Sequence, residues 1–429
     1  MERSVDGRHL YQRIAILPCA SDSKCSIAED YEAYKQYYSP IRLPLHYAFT
    51  LWRLRLSLAI ILILTMLLLL YNRTTPNTPM PSSHESTAET KKKPHNPMKT
   101  LGGVLSCEPS AMKPSATVPV DVNKVRPADI RIIGAMGDSI MVGAWSNNFE
   151  DDKSNLFPGN SFAIGGDESL SNHITLANIL HEFNPDMAGA SYGEGYDNTG
   201  FNVGVSGETS LDLPRQARNL IKRMRSSGVS LENDWKLITI FIGTNDIGKL
   251  RCIDRETTPR DVYKAKIEET ISLLRSSMNR TIVSIVSIWN SQLIYDAATL
   301  MENGTRLQCG DDYISRRDAL TEEYREVVYE IQNSKKFDYP DFTVVVQGFM
   351  DDIRDAFRNK LGNYDKSFYG ADMFHLSKYG NAVLGKFLWN CLLEPVGKKS
   401  KKVNLGDDST PLSCPTTSSP FIQTIGNGS

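Results

Sequence analysis

A chain of 429 residues, 41% hydrophobic and 23% charged, is long enough for one large globular domain or two ordinary ones, and its composition is that of a chain most of which folds. Its 48 Lys and Arg against 50 Asp and Glu leave a net charge of −2, which gives no electrostatic reason to expect a nucleic-acid partner. No Cys/His spacing of zinc type and no calcium-loop pattern occurs, so the residues call for no metal or other cofactor.

Residues 1–55 have weak periodicity and a Tyr-rich patch from Tyr31 to Tyr38, and read as a cytoplasmic tail. Leu56 to Tyr71, LSLAIILILTMLLLLY, contains no charge, lies between Arg55 and Arg73, and has Trp52 and Tyr71 near its ends. As a helix this run is roughly 24 Å long, within reach of a thin bilayer if the flanking arginines snorkel. A buried core helix is the alternative; the uninterrupted run with aromatic ends favours one transmembrane helix. The long preceding tail argues against a cleaved signal peptide. Arg42, Arg53 and Arg55 outnumber Arg73 close to the span, which places the N-terminus in the cytoplasm and the rest of the chain outside or in a lumen. Asn279-Arg280-Thr281 and Asn303-Gly304-Thr305 are glycosylation acceptor patterns on that side. Cys107, Cys252, Cys309, Cys391 and Cys414 lie there too, enough for two disulfides and one free thiol in an undetermined pairing.

Residues 72–127 are rich in Pro, Thr, Ser and Lys and read as an extended stalk of about 40 Å reach. A domain is expected over 128–397. Ile130–Met136 reads as a buried strand, Leu170–Phe183 as a helix, Phe201–Val205 as a second strand and Leu213–Met224 as a helix. Strands at Leu237–Ile242 and Ile282–Ile288 follow, separated by a helix at Val262–Met278. A helix at Leu320–Ile331, a strand at Phe342–Val346 and a final helix at Tyr379–Leu392, capped by Ser377, complete the series. Strands alternating with helices predict an α/β fold with a parallel sheet covered on both faces and a site at the carboxyl ends of the strands. Residues 398–429 read as a flexible tail whose polar end argues against a lipid-linked C-terminal anchor.

Three motifs fall at those strand ends. Gly137-Asp138-Ser139 follows the first strand and exposes a serine hydroxyl on a turn, although Asp and Ser also serve as ordinary helix caps there. Gly243-Thr244-Asn245-Asp246 offers a side-chain amide to a developing oxyanion, against a reading as plain turn chemistry. Asp372-Met373-Phe374-His375 lets one local turn hold a carboxylate against an imidazole, which is weak evidence alone. Together, and in this order along the fold, they supply nucleophile, oxyanion donor, base and orienter.

The chain resembles the SGNH/GDSL hydrolases at Gly134 to Ser139, at Phe201-Asn-Val-Gly-Val-Ser-Gly207-Glu-Thr-Ser210, at Gly243 to Asp246 and at Asp372 to His375. The likeness is closer still to one branch, the animal phospholipase B-type enzymes. It is carried by Ile164 to Glu168, Thr175 to Pro185, Asp234 to Gly243, Asp341 to Gln347 and Leu388 to Gly397. The resemblance implies a flavodoxin-like three-layer α/β/α domain with Ser139, Asp372 and His375 as catalytic triad. It also implies an oxyanion hole from the Ser139 and Gly207 backbone N–H groups and the Asn245 amide. The activity implied is metal-free hydrolysis of acyl esters, with a glycerophospholipid or lysophospholipid as substrate. Two alternatives stand beside it: a short-chain or carbohydrate O-acetyl esterase, since the fold does not decide the substrate, and a catalytically silent lipid-binding ectodomain.

Overall fold

The computed structural model describes residues 99–147, 155–248, 257–290, 311–354, 357–358, 361, 365–372 and 374–428. Residues 1–55 and the apolar run 56–71 lie outside them, as do Asn303, Cys252 and Cys309. Among the described residues no helix is long and apolar enough to cross a membrane.

Four strands form a parallel sheet in chain order: β1 (Ile130–Gly137), β2 (Trp235–Phe241), β3 (Thr281–Val286) and β4 (Phe342–Gln347). Every residue of β2, β3 and β4 is buried, and all of β1 except Arg131. These continuous runs of Ile, Val and Phe are what a sheet covered on both faces requires. Among the described residues five α-helices accompany it: α1 (Leu176–Phe183), α2 (Leu213–Ser226), α3 (Arg260–Ser277), α4 (Asp311–Asn333) and α5 (Lys378–Leu392). Helices α2, α3 and α4 pack in series, α2 also meeting β1, while α1 packs against α5. The apolar stripe of α2, Leu213, Ala217, Leu220, Ile221 and Met224, is buried, and its Arg-rich side faces out.

Two expected elements take a different form. Phe201–Val205 is not a regular strand. Its backbone pairs with β1 through Ala135 N–H to Phe201 O (3.0 Å), Val203 N–H to Ala135 O (2.9 Å) and Val205 N–H to Gly137 O (3.2 Å). Asn202 diverts the ladder, its side chain accepting from Gly204 N–H at 3.1 Å and donating to Met141 O at 2.9 Å. The helix expected from Leu170 starts only at Leu176, where the Thr175 side chain accepts from Asn178 N–H at 3.0 Å. Residues 170–174 are held in another conformation by backbone bonds to the segment before the domain, Gly103 N–H to Leu170 O and Ile174 N–H to Leu101 O.

The stalk and tail readings are corrected over their described parts. Val122 and Val125 are fully buried in the core, Trp235 Nε1–H donates to Pro119 O at 2.9 Å, and Val122 N–H donates to Pro340 O. At the other end Ile422 is fully buried, its N–H reaching Val125 O at 2.9 Å, and Trp389 Nε1–H donates to Ser413 O at 2.8 Å. A Cys107–Cys414 disulfide joins the two segments across a sequence separation of 307, and Cys391 is a buried free thiol. Pro, Ser and Thr remove helical and strand periodicity, but the scattered Val122, Val125, Leu412 and Ile422 still find the core.

Candidate active site

Strand β1 delivers the Gly137-Asp138-Ser139 turn to the carboxyl edge of the sheet. Gly137 is required there: a Cβ on it would lie 2.1 Å from the Phe241 carbonyl oxygen of β2. Asp138 Oδ1 accepts from Ile140 N–H at 3.0 Å and Val142 N–H reaches Asp138 O at 3.2 Å, so the motif turns tightly and caps no helix. Ser139 is 7% exposed, and no described residue accepts a hydrogen bond from its N–H.

Asp372 and His375 sit on the turn that leads into α5. One carboxylate oxygen, Oδ1, accepts from the N–H groups of Phe374 (3.2 Å) and His375 (3.0 Å); the other, Oδ2, meets His375 Nδ1 at 2.5 Å. The three-residue spacing therefore lets one carboxylate organise its own turn and orient the imidazole. Their side chains are 22% and 12% exposed. Burial alone would raise the Asp372 carboxyl, but the hydrogen bond and charge of His375 and the two backbone donors hold it below the usual carboxylate range. His375 Nε2 is buried without a hydrogen-bond partner among the described residues. An imidazole fixed this way at Nδ1 can take a proton at Nε2. The segment that follows Ser139 meets the His375 turn: Ala144 N–H returns to Ser139 O at 2.9 Å, a Cβ on Gly370 would lie 2.5 Å from the O of the next residue, Trp145, and Gly370 N–H donates to His375 O at 2.7 Å.

Gly207 lies on an exposed loop at φ +82°, where a Cβ would meet no atom within 4 Å and where no described residue accepts from its N–H. Asn245, after β2, gives one amide hydrogen to Glu208 O at 2.9 Å and keeps its second. The two loops are tied again by Asp246, whose carboxylate accepts from Ser210 N–H (2.9 Å) and Ser210 Oγ–H (2.5 Å). Asn279, an acceptor pattern on the opposite, amino edge of the sheet, is exposed between α3 and β3.

Sequence reasoning assigned no role to three polar groups around this site. Asp138 is fully buried, and burial, with the Asp246 carboxylate near, pushes its carboxyl up to about 7. A carboxyl raised in the folded state stabilises the fold fully below its unfolded value, and that contribution is lost as pH rises through about 7. Asp138→Asn keeps an oxygen for Ile140 N–H and removes the titration. Between pH 4 and 8 the wild type should lose about 4 kcal/mol of unfolding free energy that the variant keeps. Parallel pH profiles of the two in denaturant unfolding would refute this. Gln216 and Glu208 are the other two. Gln216 was visible as a polar residue on the apolar stripe of α2, between Leu213 and Leu220; Glu208 stands in the Gly207-Glu-Thr-Ser210 stretch, where nothing local marks its partner.

A family model described as GDSL-like Lipase/Acylhydrolase matches residues 133–388. "Phospholipase B1, membrane-associated" of Homo sapiens is 34% identical over 333 residues, covering 73% of this chain and 22% of that protein. The Rattus norvegicus protein of the same name is 33% identical over 329 residues with the same two coverages. That of Mus musculus is 32% identical over 330 residues. The aligned stretch is thus about a fifth of the length of these relatives.

Proposed function

The chain belongs to the GDSL-like lipase/acylhydrolase family, and from that premise we propose that it is a serine carboxylic-ester hydrolase with phospholipase B-like activity on glycerophospholipids or lysophospholipids. The observation that carries the reading is the Asp372–His375 pair, with Nδ1 fixed at 2.5 Å and Nε2 unpartnered among the described residues, on a turn that packs against the segment following Ser139.

His375 takes the Ser139 hydroxyl proton as Oγ attacks the ester carbonyl, and Asp372 stabilises the resulting imidazolium. The Ser139 and Gly207 N–H groups and the free Asn245 amide hydrogen hold the oxyanion. The proton then passes from His375 to the leaving alcohol, and water releases the acid by the reverse route. Relatives named as phospholipase B1 support the substrate class. Turnover by the full chain of phospholipids, lysophospholipids, nitrophenyl esters and acetylated sugars tests it. Phospholipid or lysophospholipid turnover that vanishes in Ser139→Ala is expected; turnover of acetylated sugars alone would overturn the lipid assignment.

The same reading anchors the enzyme through residues 56–71, with the catalytic domain outside or lumenal. A Cys107–Cys414 bridge suits an oxidising compartment, Asn279 is exposed to a glycosyltransferase, and the human relative's name includes "membrane-associated". Expression with microsomes should give a glycosidase-sensitive chain whose domain resists protease added outside. An unglycosylated domain digested by that protease would place the enzyme in the cytoplasm.

A further inference from the structure

Glu208 and Gln216 join the parts of the site into one hydrogen-bonded unit. Gln216 is fully buried on α2 and brackets Gly137, accepting its N–H on Oε1 at 2.8 Å and donating Nε2–H to its carbonyl at 2.7 Å. The second hydrogen on that nitrogen goes to Glu208 Oε2 at 2.6 Å, so every bonding position of the Gln216 nitrogen is used. The other Glu208 oxygen is paired with Arg215, and the Glu208 backbone carbonyl holds the Asn245 amide at 2.9 Å. Glu208 also directly follows Gly207. One bonded path therefore runs from the strand end two residues before Ser139, through Gln216 and Glu208, to both remaining oxyanion donors.

The loop needs this hold. Gly207 touches nothing on its open side, and its neighbours are otherwise tied by Ser206 N–H to the exposed Tyr196 hydroxyl at 3.1 Å and by Glu208 N–H to Val205 O at 3.2 Å. An oxyanion hole acts only if its donors are placed before charge develops. A carboxylate beside a forming oxyanion would oppose it, and the Arg215 guanidinium, partnered to Glu208, offsets that charge.

We propose that Glu208 and Gln216 are positioning residues that hold the Gly207 N–H and the Asn245 amide in register with Ser139, an inference that rests on the oxyanion reading above. The test uses the full chain in detergent with nitrophenyl butyrate. Glu208→Ala should lower kcat about 10- to 100-fold with KM within about threefold, and Glu208→Gln, which can still accept from Gln216, should restore most of the rate. Asn245→Ala alone should cost about 10²- to 10³-fold. In that background Glu208→Ala should cost several-fold less than it does alone, because one donor it placed is gone. Independent, multiplicative losses, a change confined to KM, or full activity in Glu208→Ala would each overturn the proposal. Gln216→Leu strands the Gly137 backbone groups and can fail to fold, so the half-buried loop residue Glu208 carries the test, with thermal midpoints within a few degrees as control. A substantial rate in Ser139→Ala would instead overturn the underlying serine-hydrolase reading, and the positioning role with it.

Discussion

Replacement of Ser139 by alanine is expected to cut hydrolysis of a soluble ester such as nitrophenyl butyrate by about 10⁴-fold or more, while the fold persists. The size follows from chemistry. Ser139 is the hydroxyl that leaves β1 on the turn whose following segment meets the imidazole turn, and without the nucleophile no acyl-enzyme forms. The fold should survive because the turn is held by Asp138 Oδ1 to Ile140 N–H and by Gln216 on Gly137, neither of which uses the Ser139 hydroxyl. The soluble ester matters: it separates loss of chemistry from loss of access to lipid. A rate within tenfold of wild type would remove Ser139 from the nucleophile role.

Asp372→Asn should cost a comparable factor, about 10⁴ in kcat, with little change in stability. An asparagine retains the oxygen that accepts from Phe374 and His375 N–H, so the turn keeps its shape. What changes is the partner of Nδ1. An amide NH₂ placed where Oδ2 stood 2.5 Å from His375 Nδ1 cannot accept its proton. The imidazole then carries its proton on Nε2, the atom that must take one from Ser139, and the imidazolium loses its stabilising carboxylate. Comparing kcat and thermal midpoint in Asp372→Asn and Asp372→Ala checks the argument. If Asn lowers the rate less than tenfold, Asp372 serves the turn and not the proton transfer.

Legibility of the site from sequence followed the range of the interactions involved. Asp372 and His375 could be paired on paper because a three-residue turn makes that contact local. Ser139 and Asn245 could be placed at a sheet edge because an apolar run ending in Gly marks where a buried strand stops. Glu208 and Gln216 could not, since their meaning lies in a contact between α2 and a backbone position 79 residues earlier.

By itself, then, the sequence determined the alternation of strand and helix, the parallel sheet that alternation demands, and the order of the chemical groups along its carboxyl edge. Periodicity and turn chemistry are properties of neighbouring residues, so each strand, each helix and each motif at a strand end is set locally, and the parallel pairing follows from their alternation. Only the tertiary structure decided that residues 99–127 and 398–428 wrap the domain and are joined by Cys107–Cys414, and that Phe201–Val205 meets β1 by scattered bonds. The same holds for Glu208 and Gln216, which bind the loops together. Burial of Val122, Val125 and Ile422 and the bridge between distant thiols depend on which surfaces meet after folding. A segment without period carries no local record of its partner.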